Sequence, residues 1–378
     1  MFSFRDFSKI PQISQKIPNF WLTAARKCSS SSKSTQYLSY DRDPAPQFFS
    51  EKIQNLLKSL TRLDLDKIYR RRTVPKNEVE YKFLTTEHVQ KEIEDGLRRA
   101  RKLLQMPPVV QVKEAEIRVV SRDPGLAHLH ESDLIFTDIT YGLDDFHRKI
   151  VVRKVDGSLE TVPQAVRKRL NQLYFPMEGR KIRLPKMFEP ELLRKCLQEE
   201  KYEFILDRLT VQFEPYEREF HEISSETFLH INGTREFDQL RSTRHFGPMV
   251  FFLACHRLTD NLLLDSIKRD FLLNAVEVIE LQCLLNNHPL PAESHFRELR
   301  KDHTDRKVTQ LTREIEEKLG KTEEEFKQDQ ICLRILREFV KNNGQKKAQL
   351  ELALQAHEEA AEEKRRILEG LKTAHGIN

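Results

Sequence analysis

Between Phe48 and Tyr69 the apolar residues Ile53, Leu56, Leu57, Leu60, Leu63 and Ile68 recur at three- and four-residue intervals, the spacing that keeps side chains on one face of a helix. This predicts one amphipathic helix, with Ser50 placed to cap it before Glu51 and with Arg70-Arg71-Arg72 and then Pro75 ending it. A second helix is predicted from Thr85 or Thr86, with Val89, Ile93, Leu97 and Leu103 or Leu104 on its apolar face. Met106-Pro107-Pro108 stops it, because proline drives the residue before it out of helical geometry.

The texture then changes. Val109-Val110, Ile117 to Val120, Leu134 to Ile139 and Ile150 to Val152 are short β-branched runs separated by the turn signals Asp123-Pro124-Gly125 and Asp156-Gly157. They predict a small, mostly antiparallel sheet. Helical spacing returns at Val166 to Tyr174, Glu191 to Gln198 and Phe204 to Val211, and then in two longer helices over 236–257 and 260–286. His288-Pro289 and Pro291 close that region.

Beyond 292 the chain is charged, with Glu314/Lys318, Glu317/Lys321 and Glu323/Lys327 in the favourable i, i+4 orientation. Asn342-Asn343-Gly344 separates two helical stretches, and a glycine there is placed to form a left-handed cap. In the second stretch Leu350, Leu354, Ala361, Leu368 and Leu371 keep a three-four rhythm suited to packing on the neighbouring arm. The pattern therefore predicts an α+β, predominantly α-helical chain: a small, mostly antiparallel sheet flanked by helices, then a C-terminal helical hairpin. The expected divisions are a presequence at 1–40, an N-terminal helical segment at 41–108, a central α+β domain at 109–291 and a charged hairpin region at 292–378.

A chain of 378 residues has room for two or three domains. Its longest apolar stretch, Met249 to Cys255, falls far short of the roughly 18 residues that span a bilayer, so no membrane partner is expected. Five cysteines, an odd number and widely spaced, make neither a disulfide framework nor a zinc knuckle and suit a reducing compartment. The net charge of +5 is wholly accounted for by residues 1–40, which hold six basic groups, one acid and nine serines. With Phe4, Phe7, Ile10, Ile13, Ile17 and Phe20 at near-helical spacing, this stretch reads as a mitochondrial presequence, removed near Arg26-Lys27-Cys28-Ser29.

The remainder is neutral but banded, at +5 over 41–113, −6 over 114–147, +8 over 148–186, −7 over 187–291 and zero over 292–378. Because phosphate neutralisation supplies nucleic-acid affinity, such a chain meets phosphate only locally. Two basic segments are the candidates. Arg148, Lys149, Arg153 and Lys154 lead, by way of Arg167-Lys168-Arg169 and the aromatic pair Tyr174-Phe175, to Arg180, Lys181 and Arg183. Aromatic rings among arginines stack on bases while guanidinium groups hold phosphate; the competing use of the same charges is pairing with acidic stretches at 114–147 or 187–226. Arg241 and Arg244 form the second segment, and they are equally suited to pairing with carboxylates inside the domain.

Other motifs lack what their chemistry needs. Gly320-Lys321-Thr322 imitates the end of a phosphate-binding loop, but Ile315 stands where its first glycine belongs. His128, His130, Glu131 and Asp133 crowd one loop without the cysteine or helical i, i+4 partner of a metal site. Asn232-Gly233-Thr234 reads as a turn, and Cys255-His256 as a buried cysteine beside a histidine pointing elsewhere. No catalytic constellation, cofactor or metal site, or small-molecule substrate is expected.

Four segments in this order, Ile135-Phe136-Thr137-Asp138-Ile139-Thr140-Tyr141, Tyr174-Phe175-Pro176 with Gly179-Arg180-Lys181-Ile182, Gln212-Phe213-Glu214-Pro215, and Leu240-Arg241-Ser242-Thr243-Arg244 with Phe246-Gly247, resemble the animal mitochondrial small-subunit ribosomal protein family numbered twenty-two. The resemblance runs from about Phe48 to Leu285, more weakly around Leu333 to Ala360. It implies a non-enzymatic structural subunit of the mitochondrial ribosome in the matrix, without cofactor and in single copy. It also implies a place in the lower body of the small subunit, held mainly by neighbouring proteins with limited rRNA contact. The alternative is a matrix adaptor that uses its C-terminal hairpin to bind a partner helix.

Overall fold

The structure, a computed structural model, describes residues 38–70, 81–113, 116–291 and 323–374. All but the end of the expected presequence, the pairs Glu314/Lys318 and Glu317/Lys321, and Gly320-Lys321-Thr322 lie outside the described residues, as do the side chains of Leu368 and Leu371. The chain is predominantly helical with one small antiparallel sheet and a C-terminal helical pair. It divides into two compact units, one of residues 113–185 and one joining 37–112 to the chain from 186 onward.

The second unit begins with α1 (Ala45–Phe48), α2 (Glu51–Thr61) and α3 (Leu65–Ile68). The single helix expected here is broken: Arg62 takes φ 62°, outside helical space, and Asp64 restarts the helix by accepting from the Asp66 and Lys67 N–H groups. Ser50 stands at the N-cap of α2 but makes no side-chain capping bond. The next helix, α4 (Thr86–Leu103), is as expected, with the Thr85 hydroxyl accepting from His88 N–H. Val109-Val110 is not a strand; Val109 instead joins the helical core.

The 113–185 unit holds β1 (Val119–Arg122), β2 (Leu134–Thr137), β3 (Ile150–Arg153) and β4 (Ser158–Thr161), in the order β1-β4-β3-β2, followed by α5 (Gln164–Tyr174). All pairings are antiparallel, with Phe136 opposite Val151, Val151 opposite Thr161 and Arg122 opposite Ser158. Strand β4 escaped the apolar-run criterion because Ser158-Leu159-Glu160-Thr161 has a single large apolar residue. The β3–β4 turn is Asp156-Gly157, where the Asp156 carboxylate accepts from Ser158 N–H (2.9 Å) and Oγ (2.6 Å). Gly157 sits at φ 82°, and a Cβ there would lie 2.2 Å from the Asp123 carbonyl oxygen, so only glycine fits.

The larger unit resumes with α6 (Pro190–Gln198), α7 (Tyr202–Gln212) and α8 (Arg218–Thr234), then α9 (Phe246–Cys255), α10 (Asp260–Lys268) and α11 (Leu272–Leu285). Helix α8 was not anticipated, and Asn232-Gly233-Thr234 is its last turn rather than a free turn. The chain turns one residue later, at Arg235 with φ 65°. The two long helices expected over 236–257 and 260–286 are likewise divided, at left-handed Ser242 and Asp270. Helix α9 is buried on all sides from Phe246 to Ala254 and packs on α2, α8 and α11, so the core is built around it.

The hairpin exists as α12 (Glu323–Asn343) and α13 (Lys347–Ala374). Gly344 does not take the expected left-handed conformation. Its place depends on close approach instead, since a Cβ would come 3.0 Å from the Val340 carbonyl oxygen. Leu350 and Leu354 are buried, and α13 packs on α10 as well as on its neighbour arm α12, which itself lies against α11.

Candidate nucleic-acid interface

In the 113–185 unit the basic residues divide by what their side chains touch. Arg148 is 2% exposed. Its guanidinium donates to the carbonyl oxygens of Asp138 (2.8 Å), Thr140 (3.0 Å) and Leu143 (2.9 Å) and lies 3.6 Å from the Phe175 ring centroid. Five donors in a rigid fork suit it to holding an irregular loop whose carbonyls have no ladder partners. Arg167 and Asn171, one helical turn apart on α5, complete the arrangement by donating to the carbonyls of Asp145 (3.2 and 3.1 Å), with Arg167 also reaching those of Phe146 (3.1 Å) and Arg148 (2.5 Å). Sequence reasoning passed over Arg167 and Asn171 in this role; their i, i+4 spacing was the available signal.

The loop they hold opens with Asp138, whose carboxylate accepts from Thr140 Oγ1 (2.6 Å) and N–H (2.9 Å). These bonds hold its pKa below the ordinary carboxylate value. Around this frame, Lys149 is exposed, Arg153 lies half-buried with its guanidinium 5.5 Å from the Phe136 ring, and Lys154 pairs with Glu160 at 2.5 Å. Arg180 is largely covered and 3.8 Å from the Asp145 carboxylate, whereas Lys181 and Arg183 are exposed. The chemistry of this surface is thus a few cations and an aromatic ring around a loop secured from within.

Arg241 and Arg244 lie in the other unit, each paired with carboxylates, Arg241 with Asp265 and at 3.8 Å with Asp238, Arg244 with Asp207. Arg241, with its side chain 6% exposed, contacts the Asp265 carboxylate at 2.6 Å and sits between the Phe246 and Phe271 rings. Arg244 grips Asp207 through Nε (3.0 Å) and a terminal nitrogen (2.7 Å) and also reaches Thr210 Oγ1 (2.9 Å). Burial opposes ionisation of Asp207, but the hydrogen bond and charge of His245 and the guanidinium of Arg244 outweigh it and hold the pKa at about 2. Asp207 is then a carboxylate, so His245 Nε2, 2.9 Å away, is the donor. Burial keeps that imidazole below its ordinary pKa despite the pull of Asp207.

Burial pushes the Cys255 thiol up to about 12, the inert form, and pushes His256 down. Among the described residues no three His, Cys, Asp or Glu side chains gather as a metal site, and no helix is long and apolar enough to cross a membrane.

The family model described as mitochondrial 28S ribosomal protein S22 matches residues 46–287, which run from α1 through α11 and include every basic candidate. The chain belongs to this family. Two relatives, each named small ribosomal subunit protein mS22, come from Bos taurus, 30% identical over 315 residues, and Mus musculus, 29% identical over 314. Both alignments cover 83% of this chain and 79% of the relative. The segments that carry the S22 resemblance fall at joints of the fold. Ile135 to Tyr141 is β2 and the Asp138 turn, Phe175 lies against Arg148, Pro215 accepts from His221 at 2.9 Å between α7 and α8, and Arg241 and Arg244 supply one buried and one partly exposed ion pair. The hairpin α12–α13 lies beyond the matched range.

Proposed function

We infer that this chain is a structural constituent of the small subunit of the mitochondrial ribosome, working in the matrix by contact rather than catalysis and supporting assembly of the subunit and mitochondrial translation. The match of a mitochondrial ribosomal family to 46–287 carries the reading, since that span takes in the sheet unit and most of the helical core, which the hairpin completes. Its neighbours are chiefly other proteins of the subunit, one copy per particle, with rRNA contact confined to a minority of the surface. Charge supports that division: the +8 band at 148–186 is flanked by bands at −6 and −7 that repel phosphate.

Within the candidate set the rRNA contact falls on the exposed cations Lys149, Lys181 and Arg183, with Arg153 beside the Phe136 ring and Lys154 shared with Glu160. Arg148, Arg241 and Arg244 shape the protein, and Arg180 is shared with Asp145. Gradient sedimentation of mitochondrial extracts tests the reading. The protein is expected to travel with the small subunit and to leave it only when the subunit is disrupted; recovery mainly in light fractions beside intact subunits favours a free adaptor. In RNA crosslinking of the assembled subunit, contacts are expected within 148–186 and not across 187–291.

A further inference from the structure

Helix α4 is covered at one end of its apolar stripe and bare at the other. Towards its C-terminus Ala100 is fully buried, Leu97 and Leu104 are half-buried, and the Tyr69 hydroxyl donates to the Gly96 carbonyl oxygen at 2.6 Å. On the same stripe, one and two turns earlier, Ile93 is 48% and Val89 42% exposed. The extended segment leading in adds Leu84 at 49%, Phe83 at 103% and Tyr81 at 88%. A helix of this length draws most of its stability from burying an amphipathic face, and contiguous exposed apolar groups of this kind mark contact surfaces.

The charges beside the bare end narrow what covers it. Residues 81–95 carry Glu87, Glu92, Glu94 and Asp95 against Lys82 and Lys91. At about 100° per residue, Glu92, which lies 3.8 Å from Arg99 on the same helix, and Glu94 each fall about 60° outside one edge of the stripe, with Glu87 further round beyond Glu94. This acidic frame repels an RNA backbone and an anionic lipid surface, and it would meet its own sign on a second copy of the chain. We propose that the N-terminal half of α4 and the segment before it dock a basic protein segment, one that lays apolar side chains on Val89 and Ile93 and brings lysine or arginine to the flanking carboxylates. The proposal rests on the ribosomal reading only for the particle in which this partner is sought.

The test uses the full-length protein in mitochondria with a benzophenone amino acid at position 83 or 89, irradiated in the purified small subunit. The expected result is a crosslink to a peptide of another protein in which Lys and Arg exceed Asp and Glu. Glu92→Lys with Glu94→Lys is expected to lower its yield about tenfold, as like charges come face to face, and Ile93→Ser to lower it as well. These side chains are exposed, and an unchanged thermal unfolding midpoint shows that the variants still fold. Crosslinks to rRNA, to lipid, to this chain or to an acidic peptide overturn the proposal, as does a yield no higher than from Lys91 on the opposite face. Failure of the wild-type protein to travel with the small subunit instead defeats the ribosomal reading, and the same crosslink criteria then apply to whichever particle carries the chain.

Discussion

Asp260 caps a helix it does not belong to: from the first turn of α10 its Oδ2 accepts the backbone N–H of Lys346 at 2.7 Å, immediately before α13 begins. The same oxygen accepts the N–H of Gln345 at 2.9 Å, and Lys346 Nζ reaches across to Asn261 Oδ1 at 2.8 Å. The first N–H groups of a helix have no partner within it, and a carboxylate there also meets the positive end of the helix dipole. This side chain therefore adds a polar tie between the C-terminal hairpin and the body matched by the family, beside the packing of α13 on α10 and of α12 on α11. Replacing Asp260 with Ala is expected to cost about 1–2 kcal/mol. Amide exchange at the start of α13 should speed up while β2 to β4 keep their protection. Asn, which retains an acceptor but not the charge, is expected to lose less.

The contact between α2 and α11 is expected to weaken as pH rises. Burial raises the Glu277 carboxyl to about 7; the Ser59 hydroxyl, which donates to its Oε1 at 2.5 Å, and Arg62 oppose this, and Glu280 adds to it. A carboxyl of raised pKa binds its proton more tightly in the folded state, so its stabilising effect is complete below about pH 4. It declines as pH climbs to 7 and levels off above. At about 1.4 kcal/mol per pKa unit the loss is on the order of 3 kcal/mol. Denaturant unfolding of the wild type between pH 4.5 and 8 should show this decline, and Glu277→Gln should flatten it.

The helices that announced themselves in the sequence are those with a one-sided apolar stripe, such as α4 and α6. Helix α8 did not, because its buried face includes Ser224, Ser225 and Thr227. Their hydroxyls are satisfied by donating to carbonyls three or four residues back, those of His221, Glu222 and Ile223, so polar residues stand where periodicity seeks apolar ones. The breaks at Arg62, Ser242 and Asp270 were hidden for another reason: each is a non-glycine residue at positive φ, a conformation imposed by packing rather than signalled by residue type. At the candidate site the charge bands were legible, but the use of each charge was not. Arg148 and Lys149 are neighbours of like charge, and only the carbonyls of the 138–143 loop distinguish them.

That distinction is itself testable. Arg148→Met keeps much of the side-chain bulk but leaves three loop carbonyls without donors, and the loss is expected to be about 2–4 kcal/mol, read as a lower unfolding midpoint. Lys149→Met should leave stability within about 0.5 kcal/mol of wild type. For RNA the order reverses. Replacing Lys149, Lys181 and Arg183 together is expected to lower the salt dependence of RNA binding by roughly 2–3 units, at about 0.7–0.9 per phosphate contact. An unchanged salt slope in that triple variant would place the contact elsewhere.

Gly247 lies in the first turn of α9, where helix propensity alone favours alanine by about 1 kcal/mol. The structure opposes that preference, because a Cβ on Gly247 would come within 2.0 Å of the Met106 sulfur. Met106 packs against the core just ahead of the Pro107-Pro108 stop that ends the α4 segment. Its thioether is flexible and can move, but α9 is buried all round and offers little room. Gly247→Ala is therefore expected to destabilise by about 1–3 kcal/mol despite its better propensity, the usual range for overpacking a filled core. Met106→Ala removes the obstruction at the cost of its own packing, so the double variant should be more stable than the sum of the two single losses predicts. A double-mutant cycle by denaturant unfolding measures this, with a coupling of at least about 0.5 kcal/mol expected for residues in direct contact. Strict additivity would mean that Met106 does not set the requirement for glycine at this position.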